Sequence, residues 1–167
     1  MGNRESEIVI PLRKELAEFS RRAFYRGLVS GAGGNISVRI PNTDTVLITP
    51  TGISLGDVEP EGNLLVNLQG AILESPFGLK PSKECSFHLV VYQLRPEVGA
   101  IAHVHPPYAT AYANKGRPLP LVTVSSRVIL KEVPWIDCAL PGSKELCDFV
   151  HGGIKAHPDV KALLMKE

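Results

Sequence analysis

His103 and His105 stand one residue apart at the end of the apolar run 98–102. Side chains alternate faces along a strand, so residues two apart point the same way. Both imidazoles then project from one face, close enough to grip one cation. Neutral imidazole is the commonest protein ligand for zinc and suits other late first-row metals. Pro106 and Pro107 follow and stop the strand, leaving the pair at its exit. The competing account is two satisfied polar histidines near a sheet edge. Burying an unpaired imidazole is costly, which favours the metal. Two ligands fall short of the three or four that zinc usually takes, so the others must come from elsewhere.

Other residues offer anion chemistry. Gly33, Gly34 and Asn35 can present successive backbone N–H groups in a concave nest, with a phosphate as natural guest. Thr51 and Gly52, in the string TPTG, offer a hydroxyl and a glycine N–H. For both, a plain turn is the competing account. Ser82 and Lys83 open a helix, whose free N–H donors and partial positive charge attract anions; ordinary capping by Ser82 and a solvated lysine are the competing account. Glu84 falls in the first helical turn, where the helix field favours a carboxylate, or it faces the metal as a general base. His88 shares its helix face but lies among Phe87, Leu89 and Val91, and reads as a packed, hydrogen-bonded histidine.

The elements that must position these groups follow from periodicity. Ile8, Leu12, Leu16, Phe19 and Ala23 recur at helical spacing and predict a first helix ending near Gly27, with Pro11 in its first turn or bending it. A glycine-rich loop, residues 31–35, leads to a strand at 36–40, a turn at 41–44 and a returning strand at 46–49. Residues 64–68 and 71–73 suggest another strand pair. Phe87, Val90, Val91 and Leu94 mark a helix over 82–95, capped by Ser82 and closed by Pro96. After the buried histidine strand come a short helix at 108–114, strands at 121–124 and 128–133, a helix at 143–154 and a strand at 160–165. The expected fold is α/β, a three-layer α/β/α sandwich around a central mixed, mostly antiparallel sheet.

Composition narrows the function. At 167 residues the length prior is one domain, 1–167. A net charge of +1 gives no electrostatic case for nucleic acid or an anionic membrane. No apolar stretch approaches the roughly 20 residues of a spanning helix. Residues 1–7 are charged and lack the apolar core of a signal peptide. Cys85, Cys138 and Cys147 are odd in number without CxxC spacing, which fits reduced, packed thiols and a cytoplasmic location.

Four strings now align with one family. GAGGNISVR at 31–39, LITPTG at 47–52, KPSKE at 80–84 and AHVHPPYAT at 102–110 resemble the signatures of the class II aldolase/adducin family, in its order and spacing. The resemblance covers most of the chain. It implies a three-layer fold, a homotetramer with sites at subunit interfaces, and a zinc ion bound by three histidines, two of them matching His103 and His105. Mn²⁺, Fe²⁺ and Co²⁺ suit the same ligands. The family's catalytic acid matches Glu84, which can also lean on the metal. The substrate-phosphate pocket matches Gly34, Asn35, Thr51, Gly52 and Ser82, with Lys83 a further anion contact.

The implied reaction is aldol cleavage or formation of a C–C bond in a keto-sugar phosphate through a zinc-stabilised enediolate. Its substrates are a ketose 1-phosphate, or dihydroxyacetone phosphate plus an aldehyde. A sugar-phosphate epimerase, often with Asp at the Glu84 place, a dehydratase, and a non-catalytic adducin-like module are the alternatives on this scaffold. Three departures stand out. Lys83 occupies the place of a second serine. Val124 falls, by ungapped count, where aldolase members carry a proton-donor tyrosine. The third zinc histidine belongs just beyond a strand like 162–167, where this chain stops; His151 and His157 are not at that place, and the chain reads as truncated there.

Overall fold

The structure is a computed structural model and describes residues 3–166. Met1 and Gly2, the start of the charged N-terminal segment, and Glu167, the end of the last family-like stretch, lie outside the described residues. The chain divides into two compact units, Met1–His105 and Pro106–Glu167.

The first unit holds helix α1 (Asn3–Tyr25), strands β1 (Asn35–Arg39), β2 (Thr45–Ile48), β3 (Leu64–Asn67) and β4 (Ile72–Glu74), helix α2 (Cys85–Leu94) and strand β5 (Ala100–His103). The five strands form one antiparallel sheet in the order β4-β3-β2-β1-β5. Both predicted hairpins are present, and a register shift between Leu65 and Val66 irregularises the second. Strand alternation divides the side chains between two cores. Ile36, Leu47 and Leu65 join Val9, Leu16, Ala17 and Ala23 of α1 on one face. Val46, Ile48, Leu64 and Val66 join Cys85, Leu89 and Tyr92 of α2 on the other. Helix, sheet and helix make the three predicted layers within this unit.

Three expectations are corrected here. The buried stripe of α1 runs through Val9, Leu16, Ala17 and Ser20, while Ile8 and Phe19 are exposed. The sequence stripe mistook Phe19 for core because buried Arg13 and Ser20 broke the apolar pattern. Arg13 is tolerated there because it pairs with Glu74 at 2.8 Å, and Ser20 because its hydroxyl donates to the Leu16 carbonyl at 2.7 Å. Pro11 lies inside α1, past the first turn, which excludes the first of its two expected roles and leaves the other, a bend in the helix. The histidine strand is not buried: β5 is the edge of the sheet, with Ala100 and Ala102 exposed.

The second unit contains α3 (Pro107–Ala113), α4 (Val124–Leu130), β6 (Trp135–Asp137), α5 (Lys144–Ala156) and β7 (Leu164–Lys166). Ala113, Val133 and Leu164 form its buried cluster with Leu119, Leu121 and Leu130 packed around them. Strands β6 and β7 pair in parallel, as a sheet of their own. The parallel component of the expected mixed sheet is therefore a separate pair. The strands predicted at 121–124 and 128–133 are replaced by α4. Thr123 accepts from the Ser126 N–H at 3.1 Å, and Ser126 Oγ accepts from the Thr123 N–H at 3.2 Å. This reciprocal capping box outweighs the β-branched residues, whose side chains at Val124, Val128 and Ile129 stay exposed. The strand expected at 160–165 is confined to β7. The helices at 108–114 and 143–154 are present as α3 and α5, the latter capped by Ser143 accepting from the Leu146 N–H at 3.1 Å. Strand β6 was not foreseen, because its three residues are too few to show alternation.

Two glycines separate packing from backbone strain. A Cβ on Gly34, at φ +75°, would lie 2.6 Å from Val29 Cγ1 and 2.8 Å from the His103 carbonyl oxygen. Gly52 has nearly the same φ, +76°, but open space around it. Gly52→Ala should cost about 1 kcal/mol, and Gly34→Ala about 2–4 kcal/mol, from left-handed backbone strain alone and with overpacking added. Urea unfolding of the two variants checks this order; equal losses would mean the Val29 and His103 contacts relax freely.

Candidate functional site

Strand β1 sets the site through its period of two. Ile36 and Val38 face the α1 core. Buried Asn35 and Ser37 and half-buried Arg39 face α2, a polar row that needs partners. Each does. Asn35 Nδ2 donates to Glu84 Oε2 at 2.8 Å. Ser37 Oγ lies 2.7 Å from His88 Nδ1 and 2.9 Å from the Tyr92 hydroxyl. Arg39 donates to the Tyr92 carbonyl and lies 4.9 Å over the Tyr92 ring.

Glu84 occupies the N-cap position of α2, with no side-chain capping bond of its own. Ser82, expected as the cap, instead accepts from the Glu84 N–H at 3.3 Å. The Glu84 carboxylate is thus free to cross to β1 and β5. Its Oε2 stands 3.4 Å from His103 Nε2, and both side chains are largely buried. Antiparallel pairing puts Asn35 directly opposite His103, so one carboxylate meets the ends of both neighbouring strands.

His105 lies beyond the end of β5, so strand alternation is not what aligns it. Its N–H donates to the Leu28 carbonyl at 2.8 Å, which anchors the segment to the loop after α1. The His103 and His105 rings still stand edge to face, 4.7 Å between centroids. Phe87 packs against the His103 ring at 5.5 Å. Gly33 adjoins this corner, a Cβ there falling 3.9 Å from His105 Cδ2.

Two imidazoles and a carboxylate are the donor chemistry that zinc and its late first-row relatives take. Among the described residues no group of three or more His, Cys, Asp and Glu side chains is arranged to hold a metal ion. The donor types fit such an ion, as an open set rather than a closed one.

The predicted anion residues come together in part. The loops carrying Thr51 and Ser82 are joined by a Pro50–Pro81 bridge, with Thr51 N–H donating to the Lys80 carbonyl at 2.9 Å and Ser82 N–H to the Thr49 carbonyl at 3.2 Å. Those amides are occupied in holding the loops together, leaving the hydroxyls and the exposed Gly52 turn. Ser82 is buried and Lys83 exposed. The Gly33 N–H closes a turn on the Ser30 carbonyl at 3.1 Å. Gly34 is required by close packing, and Asn35 turns its amide to Glu84. Val124, at the place of the family tyrosine, starts α4 and is exposed.

His88 is fully buried and hydrogen-bonded, as the sequence suggested. What sequence reasoning missed is its company. Ser37 and Tyr92 gave no motif signal, although Ser37 lies inside the GAGGNISVR string and Tyr92 one helical turn after His88. Burial, with the His103 charge adding to it, pushes the His88 pKa down to about 3.

Residues 14–167 match the Class II Aldolase and Adducin N-terminal domain, and the chain belongs to this family. An L-fuculose phosphate aldolase from Methanococcus maripaludis is 35% identical over 136 residues, covering 81% of this chain and 72% of that protein. A 3-oxo-tetronate 4-phosphate decarboxylase from Haemophilus influenzae is 45% identical over 100 residues, covering 59% of this chain and 46% of that protein. A solved structure of L-fuculose 1-phosphate aldolase superposes with a TM-score of 0.82 at 30% identity, over 92% of this chain and 70% of that one.

The buried histidine makes a stability prediction. An unfolded histidine titrates near 6.5 and folded His88 near 3, so between these values the unfolded chain binds the extra proton. Stability attributable to His88 is intact above about pH 6.5 and falls as pH drops, by roughly 1 kcal/mol per pH unit. Urea midpoints of the wild type and His88→Gln from pH 7 to pH 4 should show a shallower slope in the variant. Parallel slopes would mean that folded His88 accepts its proton normally.

Proposed function

We propose that this chain carries the acid, histidine and phosphate-loop part of a metal-dependent aldolase acting on keto-sugar phosphates, with Glu84 as its proton carrier. The observation behind this reading is the meeting of Glu84 with Asn35 and His103. A carboxylate held by one amide donor beside an imidazole, with little water around it, is placed to take or return a proton at a carbon next to a carbonyl.

His103 and His105 would hold a zinc or similar divalent ion, with Glu84 beside them. Such an ion supplies Lewis acidity, drawing electrons from the carbonyl and hydroxyl oxygens of the substrate. The remaining work falls to the chain itself. Asn35 keeps the Glu84 carboxylate turned toward β1 and β5. Gly34 lets the loop pass close against the His103 carbonyl. Thr51, Gly52 and Ser82 would fix the substrate phosphate, with Lys83 adding a cationic contact, so the reacting carbons sit over the histidine pair. The reaction breaks the bond between two carbons: the hydroxyl of the departing half loses its proton to water and that half leaves as an aldehyde, while the bond's electron pair flows toward the neighbouring ketone and the carbon left behind takes a proton from Glu84. The homotetramer implied by the family, and a cytoplasmic setting for the reduced thiols, belong to the same proposal.

A second reading has its own support in the similarity to the 3-oxo-tetronate 4-phosphate decarboxylase. Decarboxylation also breaks a C–C bond toward a ketone, and releases carbon dioxide in place of an aldehyde. Product analysis separates the two.

Glu84→Gln keeps the size of the side chain and removes the base. Turnover of L-fuculose 1-phosphate should fall about 10²- to 10⁴-fold with the fold intact. Unchanged turnover would remove Glu84 from the chemistry. Elemental analysis should find bound metal in the wild type and a clear loss in His103→Ala; equal metal content in both would take His103 out of the ligand set.

A further inference from the structure

The buried polar row of β1 continues past the candidate site into a second set of contacts. Ser37, His88 and Tyr92 have no exposed surface. Ser37 Oγ touches both His88 Nδ1 and the Tyr92 hydroxyl, and it has one proton to give. His88 Nε2 is buried without a hydrogen-bond partner.

Proton counting sets the direction. If Tyr92 donates to Ser37 and Ser37 donates to His88, both hydroxyl protons are used and only the Nε2–H lacks an acceptor. If His88 donates through Nδ1, Ser37 accepts that bond, one of the two hydroxyl protons finds no acceptor within the trio, and the Nε2 lone pair has no donor. The second arrangement leaves two buried polar groups unmatched instead of one, each costing about 1–3 kcal/mol. In the first arrangement the phenolic proton of Tyr92 goes to Ser37. Burial raises the Tyr92 pKa to about 12, so that proton stays in place.

The placement is specific. Ser37 is two residues from Asn35 on β1, and His88 four residues from Glu84 on the α2 side. Each partner stands directly behind one member of the candidate site, on the same element and the same face.

We propose that Tyr92, Ser37 and His88 form a one-way hydrogen-bond relay that holds His88 as its Nε2–H tautomer and positions Glu84 against Asn35 and His103. The positioning half rests on Glu84 being the proton carrier. These are positioning residues, acting through the elements they tie together. Asn35 reaches Glu84 from a strand whose rotation is fixed by Ser37 two residues on. Glu84 is delivered by a helix held at its first turn by His88 and in its last turn by Tyr92.

Heteronuclear NMR of the ring nitrogens in the 167-residue chain reads the tautomer with no ligand or metal present. The His88 signal, identified by its loss in His88→Gln, should show a proton on Nε2 alone. A proton on Nδ1 overturns the relay without any further variant. In Ser37→Ala the two tautomers should mix, and the Asn35 side-chain amide should exchange faster with solvent. Ser37→Thr, which keeps the hydroxyl, should restore both. Tyr92→Phe should loosen the tautomer while keeping the ring packed. A folded Ser37→Ala that retains the pure tautomer and a protected Asn35 amide overturns the proposal.

Turnover of L-fuculose 1-phosphate gives the second readout. Ser37→Ala should lower kcat about 10- to 100-fold, as loss of a supporting hydrogen bond does, with KM nearly unchanged. An unchanged kcat in folded Ser37→Ala overturns the positioning role. A wild-type chain with the Nε2–H tautomer and no turnover counts against the aldolase reading and upholds the relay.

Discussion

The alternation of strand β1 is the constraint on which the structure turns. Its odd-numbered residues, Asn35, Ser37 and Arg39, are polar and face α2; Ile36 and Val38 face the α1 core. A strand shifted by one residue would place the polar row against α1 and the apolar pair against α2. Both cores and every site contact would be lost together. This is why the same five residues set the packing of two helices and the geometry of the acid.

A polar row facing a core is stable only as far as it is hydrogen-bonded. Asn35 donates to Glu84, Ser37 bonds His88 and Tyr92, and Arg39 reaches the Tyr92 carbonyl and ring. The consequence reaches outward through α2. A helix held by such bonds at His88 and again at Tyr92 resists sliding along the sheet, and Glu84 at its N-cap inherits that rigidity. Rigid elements hold reacting groups more closely than loops do. Thr51 and Ser82, in contrast, sit on loops joined at Pro50 and Pro81.

Edge placement gives β5 a different character. The strand carries His103 but is open on one side, with Ala100 and Ala102 exposed. Its position depends on pairing with β1 and on the His105 N–H bonded to Leu28. His105 is therefore placed by the loop after α1, and only His103 by the sheet. The two rings meet at 4.7 Å because that loop and the strand converge on Gly33 and Gly34.

The sequence by itself determined the strand pairs, the helix that carries Glu84 and the residue types at the site, because these depend on local periodicity and short motifs. Alternation at 36–40 and 46–49 is visible in a window of a few residues, and so is the His103–His105 pair. It misread α4, where a capping box at Thr123 and Ser126 competes with β-branched residues and only their exposure reveals the result. It misread the buried face of α1, since Arg13 is charged in sequence and core-facing only once Glu74 is beside it. Tertiary structure alone decided that Asn35 holds Glu84 and that Ser37, His88 and Tyr92 share one buried site. The partners of Asn35 and Ser37 lie 49 to 55 positions away along the chain. No local pattern encodes such a distance; it is set when α2 packs across the sheet and brings these polar groups together.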